Sequence, residues 1–221
     1  MVGIFYYNSS FVEKLAPWHM GGIELMRKTK IFPLRAQLTT ATRYDEFATQ
    51  LEMEAYPKLS AKMSAHVGFG FANNLKIFPN WRSTLDVYRT LPKKFEASLG
   101  FRTLKFTNGI NMIYAGYLGK YYENFWFVYR GYVFSPPDEK NLYLSHTVMI
   151  RRFGKDPDNY TSLSFFTGNT PFSAGWLSQV YDVTTQGIYI EQQIKLYDYR
   201  ILKLGFMYEN EEISLDKTRN R

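Results

Sequence analysis

The feature that most constrains this chain is an alternation of apolar and polar residues with a period of two, which recurs almost from end to end. The segment from Ser60 to Phe71 shows it best, because every second residue is apolar and the residues between are Ser, Lys, His or Gly. Successive side chains of a β-strand point to opposite faces, so this pattern predicts strands with one apolar and one polar face.

The alternating segments are long for β-strands. Most span about 10 to 13 residues, whereas strands of soluble proteins average about 5 to 6 and a tilted membrane-spanning strand needs about 9 to 11. Residues 56–59 predict a tight hairpin, and Ile213 begins a last hairpin partner. The count is then about 14 strands, or 12 if two early segments form one bent strand. The predicted strands cover residues 2–11, 18–29, 32–44, 46–57, 60–72, 81–91, 94–106, 110–121, 125–135, 141–153, 159–169, 184–196 and 200–209.

The connections between these segments fit a membrane barrel, in which long outer loops alternate with short periplasmic turns. Residues 73–80, 136–140 and 170–183 fall at outer positions, while 43–46 is short for an outer loop and 154–158 is long for an inner turn. Four short connections fall at inner positions: 30–31, 58–59, 92–93 and 122–124. We therefore predict an all-β fold, a transmembrane up-and-down antiparallel β-barrel, as a single domain over residues 1–221.

Composition narrows the classes further. Hydrophobic residues make up 45% and aromatic residues 18% of the chain, and aromatic side chains favour strands and membrane interfaces. The absence of Cys excludes disulfides and thiolate sites, and no apolar run approaches the length of a transmembrane helix. The net charge of +7 is dispersed along the chain, which argues against nucleic-acid binding because phosphate tracking needs a clustered basic patch.

Charged residues on the polar faces are predicted to point into the barrel. Lone buried charges are costly, so these residues must pair with one another or with water. Two interpretations stay open: a salt-bridged network that rigidifies the lumen, and a lining for an ion or solute path. The predicted lumen charge network comprises Arg35, Arg43, Glu52, Glu54, Lys62, Arg82, Asp86, Glu96, Arg102, Arg130, Arg151, Glu191 and Lys195.

Aromatic residues near strand ends are typical of the girdles that settle between lipid tails and headgroups. A soluble sandwich core would explain some of these residues, but it would not need such long strands. The predicted girdle includes Trp18, Tyr56, Trp81, Phe95, Phe125, Trp126 and Tyr132.

Three histidines, His19, His66 and His146, are the only side chains that carry protons near neutral pH. An esterase or acyltransferase in the barrel wall would need one of them beside a nucleophilic serine, and Ser64 shares a predicted face with His66. A polar lining residue is the favoured interpretation of His66. No compact metal-ligand spacing is present, so we predict no catalytic residue, no metal and no cofactor.

The middle of the chain carries a series of motifs in a fixed order. The motifs are QLEMEAYPK (50–58), HVGFG (66–70), FPNWR (78–82), LPKKFEASLGFR (91–102) and IYAGY (113–117). With these motifs the chain resembles the YaiO family of outer-membrane β-barrel proteins over most of its length, most closely between residues 42 and 153. The resemblance implies a bacterial outer membrane, a single barrel and a largely undefined function, with some relatives encoded beside or fused to polysaccharide-handling enzymes.

One departure concerns the end of the chain. Such barrels usually finish on an aromatic residue, whereas this sequence stops at residues 218–221, TRNR. Two explanations stay open: a truncated closing strand, or a sequence that is part of a longer protein. A signal peptide would in either case be expected upstream of Met1.

Three functions remain open from the sequence. The first is a porin-like transport, export or scaffold component of a Gram-negative cell envelope, linked to polysaccharide handling. The second is a barrel-embedded lipid-modifying enzyme, and the third is a soluble carbohydrate-binding β-sandwich. The expected partners are outer-membrane lipids and lipopolysaccharide, an envelope polymer or small solute, and other envelope proteins, with no nucleic acid.

Overall fold

In the computed structural model, the described residues form fourteen strands of one antiparallel sheet, in which each strand pairs with its sequence neighbours. The described residues are 1–11, 16–29, 31–43, 45–74, 76–107, 109–135, 142–168, 184–197, 200–214 and 217–220. The described part of the chain holds no helix long and apolar enough to cross a bilayer. The strands are β1 (Val2–Ser9), β2 (Trp18–Lys28), β3 (Pro33–Arg43), β4 (Glu46–Ala55), β5 (Met63–Ala72), β6 (Trp81–Leu91), β7 (Phe95–Phe106), β8 (Gly109–Tyr122), β9 (Phe125–Ser135), β10 (Tyr143–Phe153), β11 (Tyr160–Gly168), β12 (Thr184–Tyr197), β13 (Arg200–Ser214) and β14 (Lys217–Asn220).

The outer face of the sheet is apolar and exposed. Leu99 in β7 keeps 76% of its surface exposed, and many other large apolar side chains share its face. Apolar surface of this extent is unfavourable in water and suits a hydrocarbon surrounding. Further exposed apolar residues of this face are Ile23, Leu25, Phe69, Phe71, Phe127, Val148, Ile190 and Phe206.

The inner face is polar, which reverses the arrangement of a water-soluble protein. Its least exposed members include Gln50 at 2%, Thr39 at 2% and Ser162 at 2%. Such residues bury poorly in an apolar core but line a polar interior without cost. The two faces therefore carry the alternation that the sequence predicts.

Two small apolar clusters lie on the inner side. One joins Leu104, Ile113 and Phe134 on β7, β8 and β9. In the other, Ile77 and Phe78 of the β5–β6 connection pack against Ala41 and Ala48 of β3 and β4. Packing within this second cluster holds the β5–β6 connection over one mouth of the barrel.

The curvature of the sheet brings its early and late strands together. Tyr7 of β1 lies close enough to Glu191 of β12 to experience the charge of its carboxylate. Among the described residues, no hydrogen-bonded ladder joins β1 to β14. The approach of β1 to β12 is thus made by inner side chains.

The strands agree closely with those predicted, with two corrections. The predicted tight hairpin at residues 56–59 is wrong in position, because the Pro57 carbonyl accepts from Ala65, Lys58 pairs with Ser64, and the chain reverses only between Leu59 and Met63. The connection widens to residue 62, so β5 begins at Met63. The last hairpin partner begins at Lys217 and not at Ile213, which lies within β13. The alternative of 12 strands is likewise wrong.

Replacing Leu99 with Arg should destabilise the barrel in lipid by about 2 to 4 kcal/mol, because the substitution puts a charge on the outer face within β7. Leu59→Arg is the matched control, since Leu59 is also exposed but lies in the β4–β5 connection. Its expected cost is about 0 to 1 kcal/mol. Urea unfolding of both variants in lipid bilayers, followed by tryptophan fluorescence, measures the difference. Equal costs would contradict an outer face that contacts hydrocarbon.

Candidate functional site

Five consecutive strands, β2 to β6, each place one ionisable side chain in a continuous row on the inner face. We call this row, Glu24, Arg35, Glu54, His66 and Asp86, the acid–base ladder. The Arg35 guanidinium lies 3.0 Å from a carboxylate oxygen of Glu24 and 3.0 Å from one of Glu54. The ring of His66 lies 3.6 Å from Glu54 and 3.4 Å from Asp86. Acids and bases therefore alternate along the whole ladder.

The strand register explains how the ladder forms. Arg35 stands directly opposite Glu54, and His66 stands directly opposite Asp86. Gly68 lies directly beside Glu54 in the next strand, two residues along β5 from His66, so the imidazole reaches that carboxylate diagonally. Tyr56 completes the arrangement, because its ring stacks on His66 with centroids 4.8 Å apart and its hydroxyl donates to Glu54.

A second ion pair crosses three strands beside the ladder. Arg82 of β6 binds Glu52 of β4, and the residue between them in the register is Gly70 of β5. A Cβ atom at Gly70 would lie 2.9 Å from Cγ of Glu52, closer than side chains tolerate. The absence of a side chain at this position lets the two charges meet over β5.

The opposite wall, β7 to β11, has a different chemistry in which arginines lie over aromatic rings. Arg102 lies 5.6 Å from the ring centre of Tyr132, and Arg130 lies 5.3 Å from that of Tyr117. Arg151 lies 3.8 Å from the Tyr160 ring and 5.2 Å from the Trp126 ring. Such contacts stabilise a cation without neutralising it. We call this surface the arginine–aromatic wall; its members are Arg102, Arg130, Arg151, Tyr117, Trp126, Tyr132 and Tyr160.

Glu96 is the carboxylate of β7 on this wall. It accepts hydrogen bonds from the Tyr117 hydroxyl and, at 3.0 Å, from the Trp126 indole. Its negative charge is thus stabilised by neutral hydrogen-bond donors and not by an arginine.

Glu191 and Lys195 connect the wall to the end of the sheet. Glu191 lies 3.7 Å from Arg151 and accepts from the hydroxyls of Tyr160 and Tyr189 at 2.7 and 2.9 Å. Lys195 pairs with Asp156 and with Asp158 of the β10–β11 connection, each at 3.2 Å. The backbone amide of Asp158, together with Lys195, lowers the pKa of Asp156 below its ordinary value.

Most residues of the predicted charge network share the inner face. The ladder, the Glu52–Arg82 pair, the wall with Glu96, and Glu191 with Lys195 account for eleven of the thirteen. Arg43 also lies inside, where its guanidinium covers the Trp18 ring at 3.7 Å. Lys62 does not belong to the network, because the widened connection before β5 leaves it exposed.

The predicted aromatic girdle is only partly on the outer face. Trp81 and Phe125 lie there, stacked against Phe69 and Phe127, and Phe95 lies there under Lys120. For the other four residues the predicted orientation is wrong: their even positions put Trp18, Tyr56, Trp126 and Tyr132 on the inner face, where they contact Arg43, His66, Glu96 and Arg102. Position along a strand does not decide which face a ring occupies.

The histidines offer no hydrolase geometry. Both ring nitrogens of His66 face carboxylates and not Ser64. His19 and His146 lie outside, where their Nδ1 atoms meet the hydroxyls of Tyr6 and Tyr129 at 2.7 and 2.8 Å. Among the described residues, no group of three or more His, Asp or Glu side chains is arranged to hold a metal ion.

Sequence reasoning missed Glu24 and the tyrosines of the wall. Glu24 lies between the outward-facing Ile23 and Leu25, so the alternation alone assigns it inward. Tyr132 follows Arg130 by two residues and therefore shares its face. In each case the signal was present in the period of two.

Arg35→Ala should lower the free energy of unfolding by about 2 to 4 kcal/mol, because it leaves Glu24 and Glu54 without their shared cation in an interior that is only partly accessible to water. Adding Glu54→Gln to that variant should recover part of the loss. Arg27→Ala, an exposed arginine of β2, is the matched control and should change stability little. Urea unfolding in lipid measures all three. An Arg35→Ala cost no larger than the control's would contradict a stabilising ladder.

Comparison with known proteins yields one family and several similar folds. The YaiO membrane beta barrel domain matches residues 1–172. The "KdgM porin" has a TM-score of 0.54 at 11% identity, over 76% of this chain and 91% of that one. Pseudomonas aeruginosa OccK3 (OpdO) has a TM-score of 0.53 at 10% identity, over 96% of this chain and 70% of that one. A second Pseudomonas aeruginosa OpdO structure has a TM-score of 0.53 at 11% identity, over 99% of this chain and 72% of that one. No match was found among curated proteins.

At such low identities the porin structures establish the fold alone, an outer-membrane β-barrel. The single continuous sheet also excludes the β-sandwich alternative, which requires two packed sheets. The family match extends over most of the 221 residues, from the first strand into the connection that follows β11. This chain therefore belongs to the YaiO family of membrane β-barrels, and its location is the bacterial outer membrane.

Proposed function

We propose that this barrel is a porin-like passage through the outer membrane, and that small polar solutes or a saccharide of the envelope cross its lumen. The observation that carries the proposal is that inward-facing charged side chains keep water-accessible surface. Arg35 retains 25%, Arg151 21% and His66 18% of their side-chain surface. In a lumen filled by its own salt bridges, these side chains would be covered almost completely.

The chemistry of the lining supports a sugar as the solute. Aromatic rings offer flat apolar surfaces to the faces of sugar rings, while hydroxyls and guanidiniums offer hydrogen bonds to their substituents. The arginine–aromatic wall combines both groups on one surface. The polysaccharide-handling enzymes associated with some relatives point in the same direction.

Lipids and lipopolysaccharide are the proposed partners of the outer face. Trp81 and Phe125 stand at strand starts, where aromatic rings anchor barrels at the membrane interface. Other envelope proteins are a further proposed class of partner, at the barrel mouths. Within the described part of the chain, no contact favours the lipid-modifying enzyme, because an acyl-transfer mechanism needs a histidine nitrogen beside its nucleophile and those of His66 face acids.

The purified barrel should produce discrete conductance steps in planar bilayers. Met149→Trp should reduce the step size by about a third or more, because Met149 lies on the inner face of β10 and a larger ring narrows the passage. Val148→Trp is the matched control, since Val148 is the preceding residue and lies on the outer face. Its conductance should remain that of the unchanged protein.

Folding of every variant is checked by gel electrophoresis, in which a folded barrel migrates more slowly after heating than before it. A folded barrel that never conducts would contradict the proposal and favour a scaffold function. Equal effects of the two tryptophans would also contradict it, because the current would then not follow the inner face.

A further inference from the structure

We infer that Arg102 and Arg130 form a binding site for a solute that carries a carboxylate or phosphate group. The inference rests on the proposed passage and names the class of solute that the passage favours. The site lies on the inner face of β7 to β9, between the ladder and the rest of the arginine–aromatic wall.

The first argument is the local charge. Among the described inner-face residues of β6 to β9, the carboxylates are Asp86 and Glu96, and the cations are Arg82, Arg102 and Arg130. Arg82 binds Glu52, and Glu96 is occupied by the donors of Tyr117 and Trp126. Asp86 is left as the acid near both Arg102 and Arg130, and His66 also contacts it. Asp86 therefore serves both arginines and shares His66 with Glu54, so positive charge exceeds negative charge around Arg102 and Arg130.

The second argument is the placement of the two arginines about Asp86. Along the register row that contains Asp86, the next two residues are Gly100 and Ala115, followed by Tyr132. Arg102 lies two residues beyond Gly100 on β7, on one side of this row. Arg130 lies on the other side of the row, opposite Tyr117.

The third argument is the position of Asp86. A Cβ atom at Gly100 would collide with Oδ1 of Asp86 and with the carbonyl oxygen of Leu85, so the carboxylate lies directly against the glycine. It thus lies over the row between those of Arg102 and Arg130 and experiences the charge of both arginines. We regard Asp86 as an internal counter-ion, with which the carboxylate or phosphate of a solute competes.

The fourth argument is the geometry of the guanidiniums. Arg102 lies over the ring of Tyr132 and Arg130 over that of Tyr117, at 5.6 and 5.3 Å from the ring centres, and Arg130 also donates a hydrogen bond to the Tyr132 side chain. A guanidinium carries five N–H donors, so these contacts leave donors for a ligand. Carboxylate and phosphate oxygens accept such donors in pairs, which makes these anions the matching ligands.

The test measures block of the potassium chloride current through the full chain in planar bilayers. The probes are glucuronate and inorganic phosphate, with glucose as a neutral sugar of similar size. Both anions should block, and glucose should not. The half-blocking concentration should rise at least about fivefold in Arg102→Gln and in Arg130→Gln, because each loses a charged pair of donors. The ratio of chloride to potassium permeability should fall at least about threefold in the double variant.

Asp86→Asn gives the sharpest outcome. Removal of the internal counter-ion should lower the half-blocking concentration of glucuronate, whereas a purely structural Asp86 would give weaker block or none. Arg89→Gln and Arg152→Gln are matched controls, because both arginines are exposed on the outer side of the same sheet. They should leave block and selectivity unchanged.

The two proposals fail in different ways. The anion site is overturned, and the passage stands, if the barrel conducts but glucose blocks the current as strongly as glucuronate. The same holds if glucuronate blocks the Arg102 and Arg130 variants as strongly as the unchanged protein. If the folded barrel does not conduct, the passage is overturned, and calorimetric titration of the barrel in micelles with glucuronate tests the site directly. Block by phosphate alone would assign the site to phosphate, and block by glucuronate alone would assign it to a carboxylate.

Discussion

The structure depends on one constraint: in hydrocarbon, every backbone N–H and C=O must find its partner within the protein. Strands satisfy this requirement only when each lies between two others, and the up-and-down order of β1 to β14 pairs each inner strand with both sequence neighbours. The side chains are then divided between two environments by their parity alone. An apolar outer face and an ionic inner face follow from the same backbone arrangement.

The strands could be predicted to within a few residues because parity and length are local properties of the sequence. The sequence also encodes which face each side chain occupies, through its odd or even position within a strand. The predicted orientation of Trp126 was wrong because it relied on the position of the residue near a strand end. Pairing was harder to predict. Whether Arg35 meets Glu54 depends on the register of two strands, and the unexpectedly wide connection before Met63 shows that turn length is not fixed by alternation.

The inner face combines two walls that handle charge differently. On the ladder, acids and bases pair across neighbouring strands, so this wall contributes mainly rigidity. On the opposite wall, arginines lie over rings that stabilise a cation without removing its charge. Asp86 belongs to the ladder and also faces Arg102 and Arg130, so it is the residue at which the two walls meet.

The ladder also has a consequence for assembly. Its contacts join residues 11, 12, 19 and 20 positions apart, all on adjacent strands. Bringing such partners together requires only short loops to close, and loop-closure entropy grows slowly with chain length. Charge neutralisation on this side can therefore proceed hairpin by hairpin as the chain enters the membrane. The approach of Tyr7 to Glu191 must wait for almost the entire chain, which makes it a marker of the last stage of biogenesis.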